Sequence, residues 1–328
     1  MTLDATLPEP RGPLSETVTV ALAGGPPPAA SPEVVRAAEP FGEDLHLALY
    51  VCYELHYRGF DRVDPRWEWD PELLRLRRRL EDRFLPALRA VCPGGTDTGT
   101  ALGGLLVEDP DAYGVSHHLL DAGRWWEMRE YLAHRSIYHL KEADPHAWVI
   151  PRLRGESKAA LVAVEFDEFG GGRGERMHAK LFADLLDAAG LDSRYGRYLE
   201  HAPAQTLATV NLMSLFGLHR ALRGALVGHF AAAEITTPPN ADRMARALTR
   251  LGAGPECTRF FTEHIEADAV HEQIMRRDVI GDLLAREPEL AADVVLGIQA
   301  TAYLEDRLGA HLLECWRSGR TSLRRPLP

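Results

Sequence analysis

Cysteine is scarce. The chain holds Cys52, Cys92, Cys257 and Cys315, far apart and with no C-x-x-C pair. That usage argues against a disulfide framework and a thiolate zinc site, and it suits a reducing compartment. No apolar run reaches eighteen residues, so no transmembrane helix and no membrane partner are expected. The opening MTLDATLPEPRGPL lacks a basic stretch followed by an apolar one, so it does not read as a secretory signal, and a cytoplasmic chain is expected. Basic charge is also in deficit: 37 Lys and Arg stand against 48 Asp and Glu, for a net charge of −11. A general nucleic-acid binder needs a basic face, so nucleic acid is not an expected partner. The basic run RSGRTSLRRP near the C-terminus reads as a solvated tail. Period-two alternation is nearly absent, which leaves β-strands without a signal.

What is present points to helices. The 328 residues are 45% hydrophobic, enough to bury a sizeable core in one or two domains. Residues 1–33, rich in Pro, Ala and Gly, read as a disordered leader. FGEDLHLALYVCYELHYRGF predicts a helix ending near Gly59, and an Asp-Pro cap opens DPELLRLRRRLEDRFLPALRAVC. Residues 93–115 read as a loop with short turns. GRWWEMREYLAHRSIYHLKEAD predicts a long helix ending before Pro145. QTLATVNLMSLFGLHRALRGALVGHFAAAEI is apolar on nearly all sides and predicts the most buried helix. A separate helix is expected between Pro239 and Gly252, and two more segments close the bundle. The fold class is all-α, with no internal repeat.

Fourteen histidines are many for this length, which also makes accidental histidine patterns commoner. HIEADAVH places His264, Asp268 and His271 at spacings of four and three, within roughly 60° of one another on one helix face. Imidazole with carboxylate suits a transition metal; an exposed polar face is the competing reading. EFDEFGGGRGERMH holds a second set: Glu165, Glu168, Glu175 and His178. On a straight helix Glu168 and His178 would stand about 15 Å apart along the axis. Glycine costs up to about 1 kcal/mol in a helix interior, so Gly170, Gly171, Gly172 and Gly174 predict a break. The break could bring Glu168 and His178 together, or be a plain loop with solvated charges. A third piece is Glu142 in YHLKEADPHAW, on the last turn of a helix, where the macrodipole disfavours a carboxylate. A nearby cation would explain it, as would exposure, and His139 and His146 compete as ligands there.

Taken together, Glu142 in LKEADPH, Glu168 ten residues before His178 across a glycine-rich break, and the H-x-x-x-D-x-x-H run make residues 116–328 resemble the haem-oxygenase-like di-iron oxidases and oxygenases, also known as iron-containing redox enzymes. The resemblance implies a seven-helix haem-oxygenase-like bundle, with residues 34–115 as an N-terminal helical extension of unassigned role. It implies two Fe(II) per chain, held by Glu142, Glu168, His178, His264, Asp268 and His271, with O2 as co-substrate. The small-molecule substrate would be an amine-, amino-acid- or carboxylate-containing metabolite, oxidised at nitrogen or cleaved at a C–C or C–N bond. A homodimer and an external electron donor stay open as partners.

Three carboxylates and three neutral imidazoles carry −3 against the +4 of two ferrous ions, so one positive charge would be left to attract an anion. Carboxylates can bridge two metals, imidazole suits iron, and each histidine should donate its free ring N–H to an outer acceptor. Glu305 and Asp306 in AYLEDRL are candidates for that role, or a solvated face. The substrate pocket is expected along the apolar helix around Met213 and Phe216. Glu234 could recognise an amine there or satisfy the helix end, and Tyr138, one turn before Glu142, is a further candidate.

Three other readings compete. A ferritin-like di-iron bundle wants two E-x-x-H motifs; Glu43 with His46 and Glu175 with His178 match, but His264, Asp268 and His271 are then unexplained. A metal-independent helical enzyme of the same superfamily would not need six ligands. A non-catalytic iron-binding or scaffold protein would bind metal without turnover.

Overall fold

The computed structural model describes residues 5–108 and 112–327, and the side chains of all of these except 266–269. Among them every regular element is helical. The helices of ten residues or more are α1 (Pro13–Leu22), α2 (Glu43–Glu54), α3 (Pro71–Val91), α4 (Trp125–His139), α5 (Gly155–Glu168), α6 (His178–Ala188), α7 (Ala204–Leu218), α8 (Arg223–Arg250), α9 (Pro255–Gln273) and α10 (Ala291–Arg317). No helix of the described residues is long and apolar enough to cross a membrane.

The core is built around α8. It packs along α9 on one side and α10 on another, while α7 packs on α10 and α2. Two glycines let α8 and α10 touch backbone to backbone. A β-carbon at Gly228 would collide with the carbonyl of Val294, and one at Gly297 with the carbonyl of Ala225. Leu226, Val227 and Ala231 of α8 and Val294, Ile298 and Leu304 of α10 are buried in the same core cluster.

Four sequence expectations change. The first concerns the leader: residues 13–22 form α1, with Leu14, Val18 and Leu22 buried. The reason is a cap supplied from another helix. Asp44 at the start of α2 accepts hydrogen bonds from the backbone N–H groups of Leu14 (2.9 Å) and Ser15 (2.7 Å), satisfying donors that a helix N-terminus leaves open. The second concerns the long apolar segment, which breaks at His219–Leu222 instead of running on. The Arg152 guanidinium takes the last carbonyls of α7, at Gly217 and Leu218. His219, in extended backbone, meets Glu81 at 2.9 Å. The third is that α8 continues through Pro238 and Pro239. Interior proline costs about 3 kcal/mol or more, but Glu234 and Ile235 before the pair and Ala241 and Met244 after it are buried, and tertiary packing of both halves outweighs the local penalty. The loop expected over 93–115 also contains a short helix, Thr98–Leu105, capped by Asp97.

The extension expected over 34–115 shares the core of the rest of the chain. Leu45, Leu49, Leu76, Phe84 and Leu88 belong to the same buried cluster as Leu207, Leu226 and Leu304.

Candidate metal centre

Glu142 is presented by a short break in the chain, not by a helical turn. Helix α4 ends at His139, and Ala143 has a left-handed backbone (φ 71°). That conformation is costly for a residue with a side chain and persists only where the surroundings impose it. They do so here. Lys141, fully buried, puts its ammonium 2.8 Å from Glu54 of α2, and Tyr195 donates to the other oxygen of Glu54 at 2.7 Å. Arg58 donates to the Leu140 carbonyl at 2.9 Å. Glu142 thus lies just beyond the C-terminus of α4 and not within its last turn.

Glu168 and His178 meet across the glycine-rich segment. Gly170, Gly171 and Gly172 all have positive φ (72°, 63°, 79°), a conformation glycine adopts at no steric cost. The chain turns back on itself between α5 and α6. His178 Nδ1 stands 2.9 Å from Glu168 Oε2.

From α9 comes His264, whose Nδ1 lies 2.7 Å from the Phe260 carbonyl. That bond makes Nδ1 the protonated nitrogen and leaves Nε2 with its lone pair, 3.6 Å from Glu142 Oε1. The His178 and His264 rings are 4.2 Å apart between centroids. Two turns on, His271 points Nδ1 at Glu234 Oε2 (3.1 Å) and at Glu168 Oε1 (3.9 Å), while Nε2 meets Asp167 at 3.2 Å.

Two buried donor clusters result, each with its ligand atoms within 4.8 Å of one another: Glu142, Glu168, His178 and His264 in one, and Glu168, Glu234 and His271 in the other. Glu168 belongs to both, with Oε2 toward His178 and Oε1 toward His271. The donor chemistry fits iron. The sets are carboxylate and imidazole, they are shielded from water, Glu142 Oε2 is buried without a hydrogen-bond partner, and His178 Nδ1 meets Glu168 Oε2 without the geometry of a hydrogen bond. Burial works to raise the Glu142 pKa, yet His139, at 2.8 Å, and His264 outweigh it and hold the carboxyl below its ordinary range.

Of the residues predicted from the sequence, Glu142, Glu168, His178, His264 and His271 stand at these clusters. The side chain of Asp268 lies outside the described residues. Glu234, expected at a substrate pocket or a helix end, instead stands beside His271. Tyr138 is adjacent, accepting from the Ala143 N–H at 3.4 Å and lying 3.5 Å from His146 Nδ1. Met213 and Phe216 are buried in α7, which packs on the turn Asp144–Ala147 just after Glu142. Glu305 is bound through both oxygens to Arg135 (2.9 and 2.6 Å), and Asp306 is exposed; neither serves a cluster histidine among the described residues. Asp167 and the Phe260 carbonyl do so instead. Asp167 sits next to Glu168 in EFDEF, but nothing in the local pattern says which histidine it meets. Glu175, the rival to Glu168, is exposed. His46, of the ferritin-like alternative, bonds the Pro40 carbonyl at 3.1 Å and the Asn211 amide.

A family model described as iron-containing redox enzyme matches residues 129–306. Over 238 residues, 68% of this chain, the sequence is 26% identical to a nitrosourea synthase of Streptomyces achromogenes subsp. streptozoticus. The chain spans about half the length of that curated relative, 50%.

Proposed function

We propose that this chain, which belongs to the iron-containing redox enzyme family, binds two ferrous ions at the paired clusters and uses O2 to oxidise a small nitrogen-containing metabolite. The observation that carries the reading is the sharing of Glu168 between two buried carboxylate–imidazole sets. One carboxylate with an oxygen toward each set is what a pair of metals requires, and a single-metal or metal-free protein does not. Two ferrous ions, when bound, would supply two electrons to O2.

The residues of the chain do the rest. Glu142, His178 and His264 would hold one ion, Glu234 and His271 the other, and Glu168 would join them. Asp268, one helical turn after His264, is proposed as a further ligand. With Asp268 counted, the set carries four carboxylates, Glu142, Glu168, Glu234 and Asp268, so −4 meets the +4 of two ferrous ions. The centre is then neutral and not, as the six-ligand set implies, singly positive. Neutrality lowers the cost of burying it. The Phe260 carbonyl and Asp167 fix the ring orientations of His264 and His271. Oxidation at nitrogen is favoured over C–C cleavage because the similar protein is a nitrosourea synthase, and a nitrosourea carries an oxidised nitrogen.

Anaerobic Fe(II) titration tests the assignment. Wild type should take up about two irons per chain; Glu234→Ala should lose one, and Glu168→Ala should weaken both. A chain that takes up no iron overturns the proposal. Full iron uptake with no amine-dependent O2 consumption leaves a non-catalytic iron-binding protein.

A further inference from the structure

Glu165 lies one turn before Glu168 on α5 and is 2% exposed. Neither of its carboxylate oxygens has a hydrogen-bond partner. A buried unpartnered carboxylate is costly, and among the described residues no cation acts on this one. Lys141 is committed to Glu54 at 2.8 Å, and Arg135 to Glu305 at 2.6 Å. The metals do not account for it either. Glu165 is in neither donor cluster, and in the centre proposed above four other carboxylates, Asp268 among them, would match the charge of two ferrous ions. Glu165 is the surplus acidic group.

It nevertheless belongs to the same neighbourhood. Burial first, and then the charges of Glu168 and Glu234, push its pKa up to about 9, and its charge in turn acts on Tyr138. A second bare acceptor belongs to α8, the helix that carries Glu234. His146 stacks on Phe230 (centroids 4.1 Å apart), one turn before Glu234, and faces His229 at 5.2 Å. The Thr301 hydroxyl donates to the Gly297 carbonyl (2.7 Å), so it accepts from His229 Nδ1–H (2.8 Å). His229 Nε2 then carries a lone pair, and it has no partner. Acceptors without donors call for a ligand rich in N–H groups.

We infer that Glu165 is a substrate-binding residue that takes the cationic nitrogen group of the substrate, an ammonium or guanidinium, beside the Glu234–His271 cluster. The inference rests on the redox reading above and narrows its substrate from amines, amino acids or carboxylates to cationic nitrogen compounds.

The test is calorimetric binding of pentylammonium, butylguanidinium and pentanoate, with no turnover. It is made on anaerobic Fe(II)-loaded and on metal-free protein, each as wild type, Glu165→Gln and Glu165→Asp. The expected result is that a cation binds wild type at least tenfold more tightly than pentanoate does. Glu165→Gln should lose about tenfold or more of that affinity, Glu165→Asp less, and both should keep the wild-type iron uptake. The inference is overturned if neither cation binds, if pentanoate binds as well as the cations, or if Glu165→Gln binds them as wild type does. It is overturned also if Glu165→Gln loses an iron, since Glu165 is then a metal ligand. If the protein takes up no iron but binds cations through Glu165, the redox reading fails and the cation site stands.

Discussion

At the scale of single residues, the centre is governed by what each imidazole does with its second nitrogen. His271 is the clearest case. Nδ1 looks inward to Glu234 and Glu168, and Nε2 is held by Asp167, whose side chain is 59% exposed. An exposed carboxylate thus orients a buried ring. Replacing Asp167 by Asn keeps the shape and removes the charge. Loss of such an outer partner typically costs 10–100-fold in metal affinity, and the expected loss here is confined to one of the two ions. Fe(II) or Zn(II) titration calorimetry on Asp167→Asn checks it. Two affinities lowered together, or none, would mean that the 3.2 Å contact does not serve His271.

At the scale of elements, the decisive piece is the turn between α5 and α6. Gly170 combines φ of 72° with a crowded site, since an added β-carbon would come within 2.6 Å of the Arg176 and Met177 backbone. Gly190 after α6 has a similar φ of 68° and nothing within 4 Å. The two separate backbone strain from crowding. Gly190→Ala should cost about 1 kcal/mol and leave metal uptake unchanged. Gly170→Ala should cost more than that and weaken the ion held by Glu168 and His178, because the turn must open to admit the methyl group. Urea unfolding and iron titration of the two variants give both readouts.

At the scale of the whole molecule, the buried histidines set how the metal-free fold responds to acid. Burial depresses His46 and His134 to about 3 and His229 to about 4. Each takes up a proton near pH 6.5 when unfolded but not when folded. Their contribution is therefore lost as pH falls below 6.5. Glu165 works the other way: raised to about 9, it binds a proton in the folded chain that the unfolded chain lacks down to about pH 4.5. His146, which burial also holds well below its ordinary range, adds a fourth, so four protons favour unfolding and one opposes it, a net of three. The metal-free chain should lose about 4 kcal/mol per pH unit between roughly pH 6 and 4.5. Urea midpoints across that range measure it, and a flat profile would contradict the burial of these imidazoles.

The sequence by itself determined the helical class and the membership of most of the donor set. Helical periodicity, caps such as Asp70, and the spacing of His264 and His271 are local, and a helix converts spacing into shared faces without help from the rest of the chain. The glycine run likewise announced a break between Glu168 and His178. Only the tertiary structure decided what lies between segments far apart in the chain. The cap that orders α1 comes from Asp44. The prolines of α8 are overruled by packing on α9 and α10. Glu234 and Asp167 meet His271 from two different helices, and Glu54 holds the strained turn that presents Glu142 through a buried Lys141. Each of these depends on contacts that no window of sequence contains. A carboxylate in AAAEI or EFDEF looks the same whether it faces water, a substrate or a metal, until the neighbouring helix is in place.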